Sequence, residues 1–113
     1  MASAAYIPNR GDVLWVNFEP HVGHEQGGKR PALVLSHSNY NKLSGLALVC
    51  PITSKVKGYG FEWQIPPGLP VTGAVLCDQV KNIDWRARNV QFCCKMPDAV
   101  VDELRENIHL LID

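Results

Sequence analysis

The residues Gly23-His24-Glu25-Gln26-Gly27-Gly28-Lys29-Arg30-Pro31 place an imidazole, a carboxylate, an amide, an ammonium and a guanidinium on one short stretch. The stretch lies between two apolar runs with strand character, Val13–Phe18 and Ala32–Leu35. A connection between strands needs only turn formers. Charges of both signs at this density imply a site for an anion with proton transfer beside it. The three glycines let the backbone come close to a ligand.

The spacing also approaches a phosphate-binding P-loop, since Gly23, Gly28 and Lys29 fit G-x-x-x-x-G-K. That motif needs a Ser or Thr next, for magnesium, and then a helix. Here Arg30 and Pro31 follow, and proline disfavours helical geometry at the residue before it. The chain then continues into the strand-like Ala32–Leu35. The P-loop is excluded.

The elements that must position this loop are mostly short strands. Arg10-Gly11-Asp12 predicts a turn before Val13–Phe18, with Trp15 in the core, and Ala32–Ser36 predicts the second strand. Ser38–Lys42 is a loop or one helical turn. Gly45–Pro51 is apolar enough for a strand buried on both faces. Lys57–Gly60 is a turn, Phe61–Ile65 alternates as a half-buried strand should, and Pro66–Pro70 breaks it. Gly73–Ile83 predicts one more strand, bent near Asp78-Gln79, and Asp84–Cys94 holds a last short one. Pro97-Asp98 suits a helix start, and Val101, Leu104, Ile108 and Leu111 recur as on an amphipathic helix. The expected fold is mainly β with helices, a β-rich α+β chain: a small, mainly antiparallel barrel or sheet capped by a C-terminal amphipathic helix. At 113 residues, 1–113 form a single domain.

Hydrophobic content of 46% supplies a core, and charged content of 19% is too low for disorder. The first ten residues have no apolar leader region, and the longest apolar run, Leu46–Cys50, is far too short to span a bilayer. A cytoplasmic protein without a membrane partner is expected. The four cysteines form no C-x-x-C, so neither zinc nor a disulfide framework is expected, and no cofactor is implied. Cys50 and Cys77 sit in apolar runs as small core residues. Of the adjacent Cys93 and Cys94, one should be exposed, because neighbours on a strand face opposite sides. His21-x-x-His24 on a glycine loop without a nearby cysteine does not make a metal site.

Zero net charge hides an uneven distribution. Residues 1–28 carry Arg10 against Asp12, Glu19 and Glu25, a net −2. Residues 29–95 carry nine bases against Glu62, Asp78 and Asp84, a net +6. Residues 96–113 carry Arg105 against five acids, a net −4. A basic middle suits a polyanion.

Arg10-Gly11-Asp12, the Gly23–Pro31 loop, Cys50-Pro51-Ile52-Thr53, Lys57-Gly58-Tyr59, Cys77-Asp78-Gln79-Val80 and Ile83-Asp84-Trp85-Arg86-Ala87-Arg88 occur in this order. Together they resemble the MazF/PemK family, the toxins of type II toxin–antitoxin modules, over roughly residues 6–113. The resemblance implies an SH3-like barrel that forms a homodimer in the bacterial cytoplasm. It implies a sequence-specific, metal-independent endoribonuclease acting on single-stranded RNA. It also implies a cognate antitoxin whose acidic, disordered tail covers the RNA groove. Two departures are informative. Gln91-Phe92-Cys93-Cys94 replaces a more basic stretch, and Leu76 stands where PemK-like members carry an arginine before C-D-Q. The chain is closer to the MazF branch.

RNA can be cut without metal when its own 2′-hydroxyl attacks the adjacent phosphorus, leaving a 2′,3′-cyclic phosphate and a 5′-hydroxyl. The reaction needs a base, cationic donors for the five-coordinate phosphate and an acid for the leaving oxygen. Glu25 is the expected base; its bland alternative is a surface carboxylate paired with Lys29 or Arg30. Arg30 is the expected phosphate donor through its planar fork, the alternative being a structural ion pair with Asp78 or Asp84. Thr53, at a strand end, offers a hydroxyl to a phosphate oxygen or else caps a turn. His24 is the natural acid, since imidazole changes charge near neutral pH. Gln26, Lys29, Lys55, Lys57 and Lys81 are candidate RNA contacts, Asp78 and Gln79 orient Arg30 or read a base, and Phe18, Tyr59, Trp63 and Trp85 are candidate stacking surfaces.

Two other classes compete: a non-catalytic toxin of the same fold that binds a protein such as gyrase, and a plain RNA-binding barrel. The first depends on a tryptophan-bearing C-terminal tail, whereas this sequence ends Leu111-Ile112-Asp113.

Overall fold

A computed structural model describes residues 6–113. Strands β1 (Asp12–Asn17) and β2 (Lys29–Val34) pair antiparallel, with Val13 opposite Leu33 and Asn17 opposite Lys29. The charged loop 18–28 therefore leaves and re-enters the sheet at one end. After the short helix α1 (Ser38–Ser44), β3 (Leu46–Thr53) pairs with the other edge of β2, Ala32 facing Pro51 and Val34 facing Val49. β3 is long enough to hold two further partners. Its first half pairs with β6 (Lys81–Asp84), and its last two residues pair with β5 (Ala74–Leu76), which carries β4 (Glu62–Gln64). β7 (Gln91–Lys95) covers the free edge of β1. The chain expected to form one bent strand over Gly73–Ile83 is thus two strands with Asp78-Gln79 in the turn between them.

The sheet is open among the described residues: its path ends on β4 and β7, which do not pair. The architecture is the expected mainly antiparallel one with a C-terminal amphipathic helix, the barrel being left unclosed. With three residues each, β4 and β5 are too short to curl round to β7. The open side is filled instead by α2 (Asp98–His109). Its Val101 and Leu104 are buried in one cluster with Val13, Leu33, Ile52, Val75 and Met96. Burying such side chains contributes about 1.5–3 kcal/mol each. Leu14, Val16, Phe18, Ala32, Val34, Val49, Ile83 and Trp85 form a second cluster on the opposite face. A sheet covered on both faces explains the near-continuous apolar runs in β1–β3. Leu48 is the exception in β3 and is 37% exposed, so Leu46–Cys50 is not wholly internal.

Two aromatic expectations are reversed. Trp15 is 38% exposed rather than core. It shares the Val13 side of β1, but lies opposite Pro31 and Gln91, beyond the residues that α2 covers. Trp85 is buried, and its indole Nε1 donates to the Asn41 carbonyl at 3.0 Å. Asn41 is itself fully buried in α1 and fully engaged, donating from Nδ2 to the Pro8 and Ser36 carbonyls and accepting the Ser36 hydroxyl.

The β1–β7 register shifts between Val13 and Leu14, which face Cys94 and Phe92 respectively. Cys93 is the extra residue of a bulge. Both thiols are consequently half-buried against the same cluster, which corrects the expectation that one is exposed. Burial and the adjacent Cys93 push the Cys94 thiol up to about 11.

Candidate active site

The end of the sheet where loop 18–28 meets the β5–β6 turn opens into a cleft of about 550 Å³. Its lining brings together His24, Gln26, Arg30, Thr53, Lys55, Lys57, Asp78 and Gln79, with Ser54, Tyr59, Phe61, Glu62 and Leu76 completing the wall. Nine of the residues singled out for chemistry or RNA contact, Tyr59 included, thus converge from three separate stretches of sequence.

Each is placed by local structure. Arg30 lies in β2, and its guanidinium is held by carbonyls: Nε donates to Gly27 O at 2.8 Å and Nη1 reaches Ile52 O at 3.5 Å. Among the described residues it forms no ion pair, so the alternative of a structural pair with Asp78 or Asp84 does not hold. A guanidinium oriented by neutral carbonyls keeps its full charge for an anion in the cleft. Gln79 accepts the Gln26 N–H at 2.9 Å, joining the β5–β6 turn to the loop. Thr53 ends β3, and its hydroxyl accepts the Lys55 N–H at 3.1 Å, the turn-capping contact, while still lining the cleft. Gly73 packs on this strand end at φ +106°, where a Cβ would overlap the Thr53 carbonyl. Only glycine lets β5 approach so closely.

Glu25 stands apart. Its carboxylate accepts the Val22 N–H at 2.9 Å, lies 3.7 Å from Lys81 Nζ, and does not line the cleft. Those two contacts, the backbone hydrogen bond first, hold its carboxyl below the usual carboxylate range. It is therefore ionised at neutral pH. Lys81 in turn sits 5.9 Å from the centre of the Phe18 ring. Phe18 is 2% exposed and Trp85 is 5% exposed, so neither offers a face to an RNA base. This corrects both stacking assignments. Tyr59 is the most exposed aromatic of the cleft wall, and Trp63 packs against the core. Lys29 lines a smaller neighbouring cleft of about 360 Å³ with Trp15, Pro31 and Thr72, which shares Arg30 and Ser54 with the first.

Three residues escaped the sequence reading. The Glu62 carboxylate accepts the N–H groups of Lys57, Gly58 and Tyr59 at 2.7–3.2 Å and so shapes the wall of the cleft. Glu19 and Arg88 hold loop 18–28 from below. Their signal was present but weak, since a polar residue at a strand end gives no indication of which distant backbone it will reach. Among the described residues no three of His, Cys, Asp and Glu converge as metal ligands.

An open antiparallel sheet with one capping helix and a cationic cleft at the loop end is the architecture of a known class, and the sequence matches it. The chain belongs to the family described as PemK-like, MazF-like toxin of type II toxin-antitoxin system, whose profile matches residues 9–112. It is 49% identical over 83 residues to the endoribonuclease toxin MazF of Escherichia coli K12, covering 74% of each chain. The crystal structure of MazF from Deinococcus radiodurans superposes with a TM-score of 0.92 at 45% identity, covering 96% of this chain and 98% of that one. A MazE–MazF crystal structure from the same organism matches at a TM-score of 0.84 and 40% identity, over 96% and 97% of the two chains.

Proposed function

We propose that this toxin cleaves single-stranded RNA by attack of the 2′-hydroxyl on the adjacent phosphorus. The observation that carries the reading is Arg30: a guanidinium fixed by two carbonyls, free of any carboxylate partner among the described residues, lining a cleft with Lys55 and Lys57. Its remaining N–H groups suit the non-bridging oxygens of a five-coordinate phosphate. Lys55 and Lys57 bind flanking phosphates, and the Thr53 hydroxyl adds a neutral donor. Glu25 takes the proton of the 2′-hydroxyl, and His24 returns one to the departing 5′-oxygen. For Glu25 to act, the turn over Val22–Glu25 rotates towards the cleft and exchanges its Val22 and Lys81 contacts for substrate. Asp78 and Gln79 face the bases, and Tyr59 is the stacking surface. The 2′-hydroxyl route requires no metal.

The test is a long RNA incubated with purified protein in excess chelator, followed by end analysis. Cleavage leaving 2′,3′-cyclic phosphate and 5′-hydroxyl ends is expected. Loss of activity in chelator that magnesium or zinc restores would refute the mechanism. Intact RNA that nonetheless binds would point to a plain RNA-binding domain.

The same cleft suits the acidic, disordered tail of a cognate antitoxin, because tail and RNA need the same cations. The named MazE–MazF complex supports such a partner for this chain. An acidic peptide from the neighbouring open reading frame is expected to block cleavage competitively, with an association rate that falls as salt rises. Binding at saturation without inhibition would reject occlusion. A homodimer in the bacterial cytoplasm completes the proposal, and sedimentation run on the same preparation checks the oligomeric state. No helix among the described residues is long and apolar enough to cross a membrane.

A further inference from the structure

The peptide between Gly27 and Gly28 is held from both ends. Its carbonyl accepts Arg30 Nε at 2.8 Å, and its N–H donates to the Glu19 carboxylate. A peptide unit is planar, so its two polar ends turn together. Glu19 is itself fixed: its backbone N–H donates to Asn17 Oδ1 at 3.0 Å, and its carbonyl and that of Asn17 accept Arg88 Nη1 at 3.3 and 2.7 Å. His21 Nδ1 lies 3.0 Å from both Glu19 carboxylate oxygens. Gly27 packs directly on this pair, and a Cβ there would overlap the His21 ring and the Glu19 carboxylate.

We infer that Glu19 is a positioning residue for the active site, orienting the Arg30 guanidinium through the shared Gly27–Gly28 peptide. The inference rests on the reading of Arg30 as the phosphate donor. Glu19 touches no substrate in this scheme. It closes the base of loop 18–28, so that the carbonyl steering Arg30 cannot rotate. The remaining tie across the base of the loop, Phe18 N–H to Gly28 O at 2.9 Å, fixes the next peptide and leaves this one free to turn. The titratable group facing the carboxylate is His21, on its own loop, whereas Arg88, from the turn before β7, reaches the Glu19 main-chain carbonyl. The Gly28 N–H above all, and then His21, hold the Glu19 carboxyl below the usual carboxylate range. The tie is therefore charge-assisted at neutral pH and weakens only in acid, as the carboxylate gains its proton.

The test uses Glu19→Ala, Glu19→Gln, Gly27→Ala and the double variant Glu19→Ala/Gly27→Ala. Small displacements of a positioned group cost up to about 100-fold in rate, so kcat is expected to fall about 10- to 100-fold in each alanine variant with KM little changed. Glu19→Gln keeps an acceptor for Gly28 and should retain most of kcat. Because both alanine changes break one tie, the double variant should lose no more than the worse single variant. Independently of cleavage, the Gly28 amide resonance of the wild type should titrate in acid and exchange slowly, and both properties should vanish in Glu19→Ala. A KM effect alone, additive losses, or an unchanged Gly28 amide in Glu19→Ala would overturn the assignment. If the wild type cuts no RNA, the functional reading fails, and the amide measurement still decides whether the tie exists.

Discussion

Arg30→Lys is expected to lower the cleavage rate about 10²–10³-fold, the usual cost of losing one preorganised donor, while the fold persists. Lysine keeps the positive charge. It cannot donate to the Gly27 and Ile52 carbonyls and still present a fork to the phosphate, because one ammonium replaces donors on three nitrogens. The substitution leaves no carboxylate stranded, since Arg30 has no ion-pair partner among the described residues. Thermal unfolding near the wild-type temperature, with single-turnover cleavage greatly slowed, is the expected pair of results. Near-normal cleavage by the lysine variant would reduce Arg30 to a scaffold residue.

Replacing the ribose at the scissile nucleotide with deoxyribose is expected to abolish cleavage at that site altogether. The change removes the nucleophile and leaves every protein donor in place. Binding should survive, because the proposed roles of Arg30, Lys55 and Lys57 are to contact phosphates rather than the sugar hydroxyl. The measurement compares an all-RNA oligonucleotide with one carrying a single 2′-deoxy residue, both as substrate and as competitor. A modified strand that competes well but stays intact confirms the internal attack. Cutting at the modified position would require water as nucleophile, and the assignment of base and acid would have to be rebuilt.

Much of the architecture was legible in alternation and punctuation. Phe61–Ile65 alternates and holds β4 at its centre, Glu62–Gln64, and Val101 and Leu104 mark the buried stripe of the helix. That loop 23–31 contributes side chains to the cleft was legible because charges that dense are not needed for a turn. Direction was harder to read. Phe18 and Trp15 differ by three residues on nearly continuous strand, yet one is buried and the other half open. Both faces of β1 are covered near Val13 and Leu14, so alternation there carries no information about inside and outside. The bulge at Cys93 shifts the phase of β7 and depends on a pairing that no local pattern reveals. Glu25 was identifiable as a carboxylate in the right loop, but its outward turn towards Val22 and Lys81 depends on a backbone bend at Gly23, which has φ +58°. Glu19 was invisible as a site residue because its partner is a peptide nine residues away.

β3 touches three other strands: β2 along one edge, and β6 then β5 along the other. Thr53 closes this strand, and Arg30 leans on its Ile52 carbonyl. The Thr53 side of the cleft therefore belongs to the most extensively paired strand, whereas His24 and Tyr59 on its wall hang from loops that can open alone. The Arg30 guanidinium is thus anchored on two sides, to this paired strand through Ile52 and to loop 18–28 through Gly27. The rim can remodel around successive bases, or around an inhibitor's tail, as long as the base of loop 18–28 stays closed.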